Sequence, residues 1–186
     1  MKIQSVFRNF SLVALALALA TGTSIGFAQT ADSGQISDLL KQAKSHAVLA
    51  EDDAATLESY TGSKMSWQSH AWQLERIREH VNELGHLNKQ LSDLRAEGSP
   101  WQQQAIDQID PRLREMADLL TATIEHLNDN QNRVQMQPFR DYVKANAELT
   151  SKLARMISDF VDYDEAKSKA ESLEQKLDLP AVASGT

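Results

Sequence analysis

Five histidines are the side chains best suited to chemistry in this 186-residue chain, because cysteine is absent. Imidazole can hold haem iron or a metal ion, and helical bundles build such sites on their inward faces. A ferritin-like di-iron site needs Glu-x-x-His on two helices. Here only Glu83 to His86 matches, and both residues lie away from the apolar stripe of their segment. Haem needs an inward His or Met. His70 is the histidine that sits on a stripe, Met116 and Met156 point inward elsewhere, and His46 and His80 flank their stripes. Such positions more commonly hold a hydrogen-bonded core histidine and plain packing methionines. No cofactor and no metal ligand set is therefore assigned.

Depth along the helices gives a second candidate. If neighbouring segments run antiparallel at about 1.5 Å per residue, then Trp67, His70, Thr123, His126, Tyr142 and Asn146 fall at one level near one end. Two readings follow: a small polar pocket for a metal ion or ligand, or a satisfied polar layer that fixes register. The layer is preferred. It requires Asn146 to lie level with Thr123, and His70 to approach Tyr142 or His126. Asn88 is expected to fix register near the opposite end. Trp72 faces away from its stripe, which makes it a possible partner contact or a ring lying over neighbouring stems.

Nothing in the sequence assembles a catalytic set. It contains no G-x-S-x-G elbow, P-loop, G-x-G-x-x-G or H-E-x-x-H. Ser45-His46 and Ser69-His70 are sequence neighbours, which on a helix point about 100° apart and cannot pair as nucleophile and base. The expectation is a protein that is not an enzyme.

The elements that must position these residues are long helices. From Ser66 to Glu97, Trp67, His70, Leu74, Ile77, Val81, Leu84, Asn88 and Leu91 form one stripe, widened by Leu87 and Leu94. That spacing predicts an amphipathic helix of about eight turns. Before it, Ile36, Leu40, Ala43, Ala47, Ala50, Ala54 and Leu57 mark a helix starting near Ser33 or Ser37 and ending at Thr61-Gly62-Ser63. Its alanine face buries little area, so it is expected to be the most weakly held. Glycine is expected to close it in the left-handed conformation.

Gly98-Ser99-Pro100 punctuates the chain: glycine after a last turn, serine as cap, proline at the first helical position. The third segment carries Trp101, Ile106, Ile109, Leu113, Met116, Leu120, Ile124 and Leu127, with Pro111 inside it. Proline either breaks the run or kinks it; the unbroken phase from Ile109 to Leu113 favours one kinked helix. Residues 128–137 read as the longest internal loop, and Pro138 opens the fourth helix. Its stripe is Phe139, Tyr142, Leu149, Leu153, Met156, Phe160 and Tyr163, with Val143, Ile157 and Val161 beside it. Beyond Tyr163 the pattern weakens, which predicts an overhanging end.

Four such segments, with heptad character and short links, predict an all-α, up-down-up-down bundle of four antiparallel helices. The expected core is Leu74, Ile77, Val81, Leu84, Leu91, Ile109, Leu113, Leu120, Ile124, Leu127, Leu149, Leu153, Met156 and Phe160.

The N-terminus reads as a separate unit. Lys2 and Arg8 precede the apolar run Leu12 to Ala20, and Gly26-Phe27-Ala28 offers small residues for cleavage after Ala28. That is the layout of a secretory signal peptide over residues 1–28. Ala18-Leu19-Ala20 is a second, less suitable cleavage site. The apolar run is too short for the roughly 20 residues that span a bilayer. The remaining boundaries are a flexible lead-in at 29–34, the bundle at 35–178 and a disordered tail at 179–186.

Composition limits the function. Lacking cysteine, the chain has no lipid-attachment site, disulfide, covalent haem or iron–sulfur ligands. Two of the 19 basic and none of the 26 acidic residues lie in the first 28, so cleavage would take the net charge from −7 to −9. Such a domain is poorly suited to nucleic acid. The sequence thus predicts an exported, periplasmic or extracellular helical protein, monomeric or weakly self-associating, with no membrane span once the signal is removed. It would act through protein or cell-envelope contacts. The alternative is a haem- or metal-binding bundle using an inward His70.

Overall fold

A computed structural model describes residues 31–178. The signal peptide, the cleavage position and the tail at 179–186 lie outside the described residues. Among the described residues the chain is all-helical, with α1 at Gly34–Tyr60, α2 at Trp67–Asp93, α3 at Pro100–Asp129 and α4 at Gln137–Lys176. Single turns of 3-10 helix at Arg95–Glu97 and Gln131–Arg133 precede α3 and α4. Helix α1 packs on α2 and α4, and α3 packs on the same two helices from the other side. No described helix is long and apolar enough to cross a membrane.

Caps account for where the helices start. Ser33 and Ser66 are extended, and their hydroxyls accept from the amides of Ile36 and Ser69. Each satisfies an otherwise orphaned donor of the first turn. The helix ends depart from the sequence expectation. Helix α2 stops at Asp93 and tightens into the 3-10 turn, so it is shorter than the Ser66–Glu97 run. No glycine among the described residues has a positive φ. Instead of a left-handed Gly62, the Thr61 and Ser63 amides and hydroxyls close α1 by donating to the carbonyls of Glu58 and Tyr60. Space at Gly98 is tight, since a Cβ there would sit 2.8 Å from the Ile36 Cδ1 atom and 3.2 Å from the Gln102 Cβ, so the buried Ile36 side chain would have to shift.

Helix α3 runs unbroken through Pro111. Proline removes the amide that would bond the Asp107 carbonyl, and Asp107 lies on the exposed side where water can replace it. The loop between α3 and α4 is shorter than 128–137, because α3 continues to Asp129 and α4 begins at Gln137.

The core takes the expected residues of α2 and most of those of α3, but α4 is rotated. Its buried line is Phe139, Val143, Asn146, Thr150, Leu153, Ala154, Ile157, Val161 and Asp164. Leu149, Met156 and Phe160 are only half-buried, as is Ile124 of α3, so these four are not closed core. Tyr163 is exposed. The alanine face of α1 (Ala43, Ala47, Ala50, Ala54) is fully buried, and small side chains of this kind permit close approach of neighbouring helices. Met156, Phe160 and Tyr163 of α4 are left along the seam with α3.

Asp32 and Ser33, read from the sequence as part of a mobile lead-in, are tied down. Asp32 accepts from Trp101 Nε1 at 2.7 Å and from Lys167, while the Ser33 amide donates to Gln102. Burial alone would raise the Asp32 pKa, but hydrogen bonds from Lys167, Ser99 and Trp101 outweigh it and hold the carboxyl below its ordinary value. A depressed folded-state pKa contributes stability that is complete above the unfolded value of about 4 and lost as pH falls through the folded one. Thermal melts should therefore show a loss of stability below about pH 4 that is smaller in Asp32→Asn.

Candidate functional site

The polar end layer is built by α2, α3 and α4. His70 is fully buried, and its Nδ1–H donates to the Ser66 carbonyl at 2.8 Å. The other ring nitrogen, Nε2, is buried and without a partner. Asn146 Nδ2 donates to Thr123 Oγ1 at 2.5 Å, and Thr123 donates onward to the Leu119 carbonyl at 2.7 Å. Thr123 and Asn146 are thus level and bonded. Asn146 Oδ1 is buried without a partner.

His70 does not approach Tyr142 or His126. Phe139 stands between them: its ring meets His70 edge-on at 5.4 Å and stacks on His126 at 6.3 Å. Tyr60 closes the other side of His70 at 5.8 Å, and Tyr142 packs against His126 at 5.1 Å. Phe139 lies on the apolar stripe of α4, and the width of its ring fills the space between the two imidazoles. Trp67 packs half-buried at the edge of the core. Near the opposite end, Asn88 Nδ2 donates to Asp110 Oδ1 at 2.8 Å. Arg114 holds the Asp110 carboxyl below its ordinary pKa, against the opposing effect of burial, and Asn88 assists.

Trp72 is 57 % exposed, with the Arg76 guanidinium 5.1 Å from its ring centre. The geometry is that of a cation–π contact. Below it lies a network the sequence reading missed. Asp53 of α1, only 6 % exposed, accepts from Gln73 Nε2 at 2.9 Å and Arg76 Nε at 3.0 Å. His80 Nε2 lies 3.5 Å from the same carboxylate.

A concavity follows from the rotation of α4. A groove of about 730 Å³ runs between α3 and α4, walled by Trp101, Met156, Phe160 and Tyr163, with Gln104, Gln108, Arg112, Lys152, Arg155 and Asp159 around it. Its volume lies within the range of ligand and peptide sites. Among the described residues, Arg112, Lys152 and Arg155 make no ion pair. Lys152 and Arg155 stand on a ridge whose other flank is a second hollow bordered by Glu51, Glu58 and Glu148. The aromatic residues could be read from the sequence. Their exposure could not, because they continued what looked like a core stripe.

Among the described residues no group of three or more His, Asp or Glu side chains is assembled to hold a metal ion. The fold and these sites define a helical bundle with a polar layer at one end and an aromatic, cationic groove along one seam. No family model, no curated protein and no solved structure matches the chain.

Proposed function

We propose that this is an exported, non-enzymatic, up-down-up-down helical bundle that acts by binding a partner protein, with the α3–α4 groove as the contact surface. The observation that carries the reading is the groove itself, in which half-exposed aromatics lie beside three unpaired cations on a chain of net charge −7. From Trp101 to Arg112 and from Lys152 to Tyr163 it follows about three helical turns. An acidic amphipathic helix of that length suits it, with apolar anchors between Trp101 and Phe160 and carboxylates against Arg112, Lys152 and Arg155. Export rests on the first 28 residues, whose charge and hydrophobic pattern is that of a cleavable signal. Antiparallel order accords with the cross-helix pairs Asp53–Gln73, Asn88–Asp110, Thr123–Asn146 and Lys44–Asp162.

Replacing Lys152 and Arg155 by Glu should weaken partner binding at least about tenfold and flatten its salt dependence, while the helical circular-dichroism signal stays unchanged. Unaltered affinity in this exposed double variant would remove the groove from the contact. The second reading, a haem- or metal-binding bundle, rests on the unpartnered Nε2 of His70. A Soret band in protein purified from its native host would favour it.

A further inference from the structure

Helix α4 has 40 residues, against 27 to 30 in α1, α2 and α3, and its last buried residue is Asp164. From Glu165 to Asp178 no residue is buried, yet this arm is not uniformly polar. Tyr163, Ala166, Ala170, Leu173 and Leu177 recur at alternating steps of three and four, the seam spacing of helices that pair in a coiled coil. All five are exposed, Leu173 at 46 % and Leu177 at 61 %. The seam begins where the α3–α4 groove ends, at Tyr163, whose ring meets Trp101 edge-on at 5.3 Å.

We infer that the groove is filled by the α4 arm of a second copy of this chain, each copy laying its arm in the other's groove, an assignment that rests on the groove being the contact surface and names what occupies it. The lengths agree: the groove from Lys152 to Tyr163 and the arm from Ala166 to Leu177 each extend about 18 Å along the helix axis. So does the register. An antiparallel crossing of the two α4 helices, centred between Asp164 and Glu165, sets seam position against seam position. Met156 then meets the partner's Leu173, Tyr163 meets the partner's Ala166, and the partner's Leu177 reaches the level of Lys152. A foreign helix would cover the groove and leave the arm's seam in water. A second copy covers both, and the twofold axis makes the contact twice.

The same register orders the charges. At the Tyr163 end of the groove stands Asp159, and the partner's Lys169 comes beside it. At the other end stand Arg112, Lys152 and Arg155, and there the partner's Glu174 and Asp178 come level with Arg155 and Lys152. Among the described residues, Asp159, Lys169, Glu174 and Asp178 make no ion pair, so all four are available. The partner's Lys176 is the like charge that this register brings to the cationic end. Opposite signs at both ends favour this crossing over a shifted one.

Sedimentation velocity of the purified protein over a concentration series should show a reversible dimer. Leu173→Glu with Leu177→Glu on the arm, and Lys152→Glu with Arg155→Glu in the groove, should each weaken it at least about tenfold while the helical circular-dichroism signal is kept. Because the chain has no cysteine, Met156→Cys combined with Leu173→Cys gives a direct probe of register. The two positions lie about 25 Å apart on one helix, too far for a bond within one chain. Oxidation of the double variant should therefore join two chains, and oxidation of either single variant should not. A parent that stays monomeric up to about 100 μM would overturn the arm as occupant; an adduct from Met156 to a different protein in the native host would then leave the groove reading standing. Dimers weakened by the arm substitutions but not by the groove substitutions would mean that arms pair with each other, and would equally overturn it.

Discussion

Leu84→Ala and Leu153→Ala should each lose about 2–5 kcal/mol in chemical denaturation, the range for truncations in closed cores. Both leucines are 1 % exposed, and they lie on α2 and α4 respectively. Truncation removes transfer energy and leaves a cavity that long, mutually braced helices close only in part. Phe160→Ala should cost distinctly less than the usual large-aromatic truncation, because its ring is half-buried at the seam. Losses below about 1 kcal/mol at Leu84 or Leu153 would mean that these faces are not closed in a single chain.

Gln102→Leu should be comparably damaging, at least about 2 kcal/mol, although it exchanges a polar residue for an apolar one of similar size. Gln102 is fully buried, and both ends of its amide are used. Its Oε1 accepts from the amides of Ser33 at 2.9 Å and Ser99 at 3.1 Å. Its Nε2 donates to the Ser33 carbonyl at 2.9 Å and Ser37 Oγ at 3.2 Å. Leucine would leave the Ser33 amide and the buried Ser99 amide without this acceptor, while the Ser33 carbonyl keeps its bond from the Ser37 amide; each buried group left unpaired costs about 1–3 kcal/mol. Gln104→Leu, two positions on and exposed, should change stability by no more than about 0.5 kcal/mol. Equal effects from the two substitutions, measured by urea unfolding, would show that Gln102 is not the clamp joining the starts of α1 and α3.

Helix α2 was legible because a single apolar period runs through it without proline, and Leu74, Ile77, Val81, Leu84 and Leu91 are buried as that period requires. Helix α4 was misjudged because its apolar residues cover more of the circumference than one stripe. Periodicity cannot say which half faces an alanine-rich neighbour and which lies open. Gln102 and Asp53 were missed for a different reason. A buried polar residue is recognised by its partners, and those of Gln102 on α1 lie 65 and 69 positions away. Among the layer residues, rise per residue sufficed to bring Asn146 level with Thr123. It could not foresee that Phe139 would separate His70 from His126. His46 and His80 flank their stripes in the sequence, but the α1–α2 register that brings their Nδ1 atoms within 3.3 Å of each other depends on the packing of whole helices.

The contact proposed for the groove is tested most directly by site-specific photo-crosslinking in the native host. A crosslinking residue placed at Met156, inside the groove, should capture one partner through a short acidic amphipathic segment identified by peptide mapping. The same residue at the exposed Glu115 of α3, outside the groove lining, should not capture it. Absence of any adduct from Met156, or the same adducts from both positions, would contradict the assignment of the α3–α4 groove as the surface through which this protein acts.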